Sequence, residues 1–121
     1  MVAEFPSVSL RILLSPDSMV GPGKANLLQY IQETGSIAAA SRRMGMSYKR
    51  AWYLIDTMNA YFREPIVTAT KGGKSGGGAQ LTPTGRAVLD AYRHMQAEVA
   101  RVAAADLEAL AALAAPTVSA A

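Results

Sequence analysis

The chain has 121 residues, half of them hydrophobic, 17% charged and none cysteine, which describes one domain with its own core and excludes disulfides, thiolate metal sites and cysteine nucleophiles. No run approaches the ~18 apolar residues of a membrane span. The net charge of +3 divides unevenly: residues 42–86 hold eight basic side chains against Asp56 and Glu64, a net +6, while the other four basic and seven acidic residues leave −3. A basic middle third suits a surface that meets phosphate, although a solvated face without a partner has the same composition.

In chain order, Val8, Leu10, Ile12 and Leu14 alternate with Ser9, Arg11 and Leu13, the period-two pattern of a short strand. Ser15 to Gly23, with two prolines and two glycines, reads as a turn. Ala25, Leu27, Leu28 and Ile31 then predict a helix ending at Gly35, a residue suited to a left-handed C-cap. A second helix is predicted from the N-cap Ser36 through Ile37, Ala40 and Met44 to Gly45. Ser47 caps a third, whose Ala51, Leu54, Ile55 and Met58 share one face.

Two short helices joined by a tight glycine turn form a helix-turn-helix, whose second helix has the width to enter a DNA major groove. Its remaining positions carry Tyr48, Lys49, Arg50, Trp52, Tyr53 and Asp56. Lys49 and Arg50 can donate to guanine edges, and Ser47 and the tyrosines can reach phosphates or bases. Trp52 and Tyr53 fit equally well as packing against a neighbouring helix or a second subunit.

Beyond Pro65, residues 66–70 and 79–81 read as a hairpin with a long tip from Lys71 to Gly78. The tip's bare backbone and two lysines suit a phosphate backbone or minor groove. Gly73-Lys74-Ser75 also copies the end of a nucleotide-binding loop, but Thr68 stands where that motif needs glycine, and glycines follow where it needs a helix.

Thr82-Pro83 opens a helix that meets no further proline before Pro116. Thirty residues would reach about 45 Å, longer than the domain's own core requires. Val88, Tyr92, Met95, Val99 and Val102 keep a coiled-coil seam that breaks at Asp106 and resumes at Leu107, Leu110 and Leu113. A partner helix is expected; the alternative is a helix folded back on its own domain.

Gly35-Ser36-Ile37, Met46 to Trp52, Ile55 to Asn59, Glu64 to Val67, Gly72-Gly73-Lys74 with Gly76 to Ala79, and Leu81-Thr82-Pro83 with Gly85-Arg86 together resemble the N-terminal domain of ModE-type molybdate-responsive transcriptional regulators over residues 20–93. The looser pattern is similar to the DNA-binding domain of LysR-type regulators. The resemblance implies a dimer on a palindromic operator, with Ser47 to Tyr53 as the front of the recognition helix and Lys71 to Gly78 as the wing. Members of that family add C-terminal domains that bind molybdate, which residues 1–121 do not include. Molybdate is therefore expected to act only through a missing domain or a partner, with no cofactor or metal in this chain.

The expected fold is mainly α with a small β-hairpin: a winged helix-turn-helix over 1–81 with its wing at 65–81, a dimerisation helix over 82–114 packed on the domain, and a flexible tail over 115–121. The expected function is sequence-specific recognition of double-stranded DNA by a bacterial homodimer in the cytoplasm, at the nucleoid. The candidate DNA-binding residues are Ser36, Arg42, Arg43, Ser47, Tyr48, Lys49, Arg50, Trp52, Tyr53, Lys71, Gly72, Gly73 and Lys74. The candidate dimerisation residues are Val88, Tyr92, Met95, Val99, Val102, Leu107 and Leu110. The other reading is a winged-helix protein-interaction module without DNA readout. An enzyme is not expected: the single His94 lies in the long helix with no nucleophile motif around it, and Asp56 and Glu64 have no reason to pair as acid and base.

Overall fold

A computed structural model describes residues 5–73 and 76–116, with the backbone alone at 71–73, 76 and 77. The elements run β1 (Ile12–Ser15), β2 (Ser18–Val20), α1 (Pro22–Thr34), α2 (Ile37–Met44), α3 (Tyr48–Tyr61), β3 (Val67–Gly73), β4 (Gly76–Leu81) and α4 (Pro83–Ala112). This is a winged helix-turn-helix, mainly helical, with a long C-terminal helix.

The caps act as their residue types dictate. Gly35 and Gly45 end α1 and α2 at φ values of 70° and 65°, where a Cβ would be strained. The Ser36 hydroxyl accepts from the Ala39 amide at 3.1 Å and the Ser47 hydroxyl from the Arg50 amide at 3.0 Å, so each helix starts with one orphan donor satisfied. Between them the chain needs only residues 45–47 to turn, because the Met46 amide donates back to the Ser41 carbonyl.

The core is one cluster. Leu27, Leu28 and Ile31 of α1, Ala40 of α2, Ala51, Ile55 and Met58 of α3, and Leu89 and Tyr92 of α4 close around Ile66 and Leu81 at the base of the wing.

The N-terminal segment differs from the expected single strand. Only Ile12–Ser15 is strand, and it pairs antiparallel with Ser18–Val20, a segment expected to be turn. The reversal is made at Pro16-Asp17 alone, where the Asp17 amide donates to the Ser15 hydroxyl. Val8 stays exposed. α1 correspondingly begins at Pro22, whose missing N–H costs nothing in a first turn.

The wing's ladder is longer than expected as well. Thr68 pairs with Gln80 and Thr70 with Gly78, and after an irregularity Gly73 faces Gly76. A ladder needs only backbone donors and acceptors, which glycine supplies as well as any residue, so the segment expected as tip is largely strand.

A polar knot at the wing's base joins it to both flanking helices. The Asn59 carboxamide oxygen accepts from the Ile66 amide at 2.8 Å, and the Ile66 carbonyl accepts from the Thr82 amide at 3.0 Å. Thr82 donates its hydroxyl to the Pro65 carbonyl and accepts from the Gly85 amide, capping α4. Gly85 lies so close that a Cβ there would collide with the Ile66 carbonyl.

α4 then crosses α1. Arg93 donates to Asn26 at 2.9 Å and Gln29 at 3.2 Å, and the Tyr92 hydroxyl donates to the Leu10 carbonyl at 2.7 Å. Tyr92 is only 1% exposed, so this residue of the expected dimer seam is first of all part of its own domain's core. Burial also raises its pKa above the ordinary tyrosine value. After Tyr92 no described residue of α4 is buried.

Candidate nucleic-acid interface

Ala51, Ile55 and Met58 sink one face of α3 into the core, which turns Tyr48, Lys49, Arg50 and Tyr53 outward. Tyr48 and Tyr53 are 54% and 59% exposed, large aromatic surfaces left in water at the front of the helix. The Arg50 guanidinium lies over the Tyr53 ring at 5.6 Å, an arrangement that holds a flexible cation in a defined place. Trp52 is half-buried and meets Tyr48 edge-on at 6.4 Å between ring centroids. Of the two roles weighed for it, packing accounts for its inner edge, while its outer edge lines a cleft with Tyr48.

That cleft, about 270 Å³, lies where three elements meet: Ser36 and Ala38 at the start of α2, Tyr48 and Trp52 on α3, and Thr70 and Gly78 on the wing. The wing is held there by its backbone, since the Ala79 amide donates to the Gly35 carbonyl at 2.9 Å. A Cβ added at Gly78 would stand 3.5 Å from that carbonyl. The hydroxyls of Ser36 and Ser47 accept from helix amides, and among the described residues neither donates its own proton. Free amides at a helix start, beside such hydroxyls, suit a phosphate oxygen.

The candidate residues do not all converge. Arg42 is exposed on the last turn of α2. Arg43 turns toward α1, paired with Glu33 at 2.9 Å and stacked on the Tyr30 ring at 5.4 Å, so its charge is already partly answered. Lys71, Gly72 and Gly73 form the outer end of β3, and Lys74 lies outside the described residues.

Lys24 is an addition that sequence reasoning missed. Its ammonium donates to the Met19 carbonyl at 2.9 Å, and burial, then the positive charge of Arg50, hold its pKa below the ordinary lysine value. Twenty-six positions separate Lys24 from Arg50 in the chain, and no local pattern joins them.

The residues weighed for other chemistry are dispersed. Asp56 is exposed on α3, Glu64 accepts from the Thr84 hydroxyl at 3.3 Å, and His94 is exposed on α4. Among the described residues no three His, Asp or Glu side chains gather as a metal site, and no helix is long and apolar enough to cross a membrane. Of the expected seam, Val88 packs partly against the core, Val99 and Leu107 are half-buried, Met95 is at the edge of exposure, and Val102 and Leu110 are 68% and 60% exposed.

Comparison with known proteins adds the following. Residues 24–86 match the family of bacterial regulatory helix-turn-helix proteins, lysR family. The chain is 44% identical over 91 residues to the molybdenum-pterin-binding protein MopB of Rhodobacter capsulatus, covering 75% of this chain and 34% of that protein. It is 42% identical over 89 residues to the molybdenum transport protein ModE of Azotobacter vinelandii, with 70% and 33% covered. To the DNA-binding transcriptional dual regulator ModE of Escherichia coli K12 it is 35% identical over 85 residues, with 70% and 32% covered. The chain spans about a third of the length of these curated relatives.

Proposed function

The chain belongs to the lysR family of bacterial regulatory helix-turn-helix proteins, and we propose that it is a sequence-specific reader of double-stranded DNA that regulates transcription as a homodimer on a palindromic operator. One observation carries this reading: the exposed front of α3, with Tyr48, Lys49, Arg50 and Tyr53, stands beside a wing root tied to the start of α2.

With α3 in the major groove, Lys49 and Arg50 reach base edges and discriminate sequence. Ser36, Ser47, Arg42 and the wing lysines meet phosphates and set the register without reading sequence. No covalent step is involved; the protein works in the cytoplasm, at the nucleoid, by occupying its site.

The names of the relatives support a link to molybdate metabolism or transport. The oxyanion acts through a domain or partner outside these residues, and the wing and recognition helix hold none themselves.

Selection of bound duplexes from a random pool, with and without molybdate, tests the reading. The expected product is a two-fold symmetric site whose half-sites lie about 34 Å apart, or a multiple. Affinity for it falls steeply with salt, and Arg50→Ala loses about 1–3 kcal/mol of discrimination at one base position while keeping most of its non-specific binding. Salt-insensitive binding without sequence preference overturns the proposal and favours a protein-interaction module.

A further inference from the structure

Three of the described arginines lie over tyrosine rings, and they differ in what else their guanidinium groups do. Arg43, 5.4 Å from the Tyr30 ring centroid, is also paired with Glu33 at 2.9 Å. Arg93, 6.0 Å from the Tyr92 centroid, also donates to Asn26, Gln29 and Gln96. Arg50 lies 5.6 Å from the Tyr53 centroid, and among the described residues its guanidinium meets no carboxylate and donates to no acceptor.

The first two stacks accompany bonds that are completed inside the protein. The third fixes a cation and leaves its whole fork of N–H donors unspent. A ring face attracts a guanidinium through its quadrupole and takes none of those donors, whereas a carboxylate would take them in pairs.

The arrangement is built locally. Positions 50 and 53 are neighbours one turn apart on α3, and a helical side chain leans back over the turn before it, so the Tyr53 ring comes to Arg50 rather than to Asp56. Both side chains are exposed. Neither is needed to close the core, which Ala51, Ile55 and Met58 do from the other side of the helix. An arginine immobilised on binding loses rotamer freedom, and a stack already present in the unbound protein removes part of that cost.

We propose that Tyr53 is a positioning residue for Arg50, holding the guanidinium ready for bidentate donation to O6 and N7 of one guanine, so that each half-site carries a fixed G·C pair at that place. This rests on the reading of α3 as the base-reading helix and deepens it. Among the base edges of the major groove, guanine presents acceptors at both N7 and O6, which match the arginine fork.

The test uses the full chain and the symmetric duplex returned by selection, with each base pair varied in turn and 7-deazaguanine placed at each guanine. At one guanine per half-site, loss of N7 is expected to weaken binding by about 5-fold or more, and Arg50→Ala is expected to lose its preference at that same pair. Tyr53→Leu keeps an apolar side chain but removes the ring face. It is expected to reduce discrimination at that pair by about 2–5-fold per half-site, the effect of one exposed cation–π contact, with the preferences at other pairs and the helical content retained. Tyr53→Phe keeps the ring and restores the discrimination. In an Arg50→Ala background, Tyr53→Leu adds no further loss there, because the two side chains act as one unit.

Equal losses in Tyr53→Phe and Tyr53→Leu assign the work to the hydroxyl and overturn the proposal, as does a loss spread over every base pair or an additive loss in the double variant. If Arg50→Ala abolishes a guanine preference that Tyr53→Leu leaves intact, the positioning role alone fails. If Arg50→Ala changes no base preference, the base-reading role of Arg50 falls and this proposal with it.

Discussion

From Pro83 to Tyr92, α4 lies against its own domain, capped by Thr82, pressed on Ile66 at Gly85 and anchored through Leu89 and Tyr92. From Val99 to Ala112 the helix continues with a comparable spacing of apolar side chains, and none of them is buried. Periodicity therefore says which face of a helix will be covered, not what covers it. In the first half the cover is the same chain; in the second we assign it to another copy. The two halves should then answer mutation differently, one through the stability of the fold and the other through association.

The largest effect is expected at Tyr92. Tyr92→Ala removes a fully buried ring and a hydrogen bond, and should cost about 3–5 kcal/mol in denaturant unfolding. Gly85→Ala comes next, at about 2–3 kcal/mol, because the added Cβ collides with backbone at Ile66, which has no rotamer to yield. Tyr92→Phe keeps the ring and loses only the bond to the Leu10 carbonyl, about 1 kcal/mol.

The Tyr92 variant also separates a pH effect. Burial favours the protonated phenol, so the folded state holds its proton to higher pH than the unfolded chain does. The associated stability is fully present below the ordinary tyrosine pKa and is lost as pH rises through the elevated one. Unfolding curves across that alkaline range should steepen for the native chain and flatten for Tyr92→Phe.

The smallest effect on folding is expected in the second half. Leu110→Ser should change unfolding by less than about 0.5 kcal/mol at concentrations where the chain is monomeric. Its effect should appear only where copies associate. If Leu110→Ser destabilises the isolated chain as much as Gly85→Ala does, the contrast between the halves fails and α4 is covered by its own domain throughout.

Much of the reading head was legible because its determinants are local. Ser36 and Ser47 cap, Gly35 and Gly45 terminate, and Ala51, Ile55 and Met58 choose the buried face of α3, each through neighbours within one or two turns. The wing was legible as a hairpin but not in length, since glycines were read as tip although a ladder makes no demand on side chains. The β1–β2 hairpin was missed because Pro16-Asp17 reverses the chain in two residues inside a segment that reads as one long turn.

The parts of the site that escaped are those made by distant residues. Arg43 and Lys49 look alike in the sequence as cations of the basic middle third, but one answers Glu33 across α1 and the other faces outward. Lys24 belongs with Arg50 only because α1 and α3 pack together. Local spacing alone established the helix-turn-helix, its caps and the basic front of α3, since cap and periodicity energies depend on residues a turn apart. Tertiary packing decided that Tyr92 faces inward, that Gly85 must be bare and that Arg93 ties α4 to α1, because each arises where segments far apart in the chain compete for the same space.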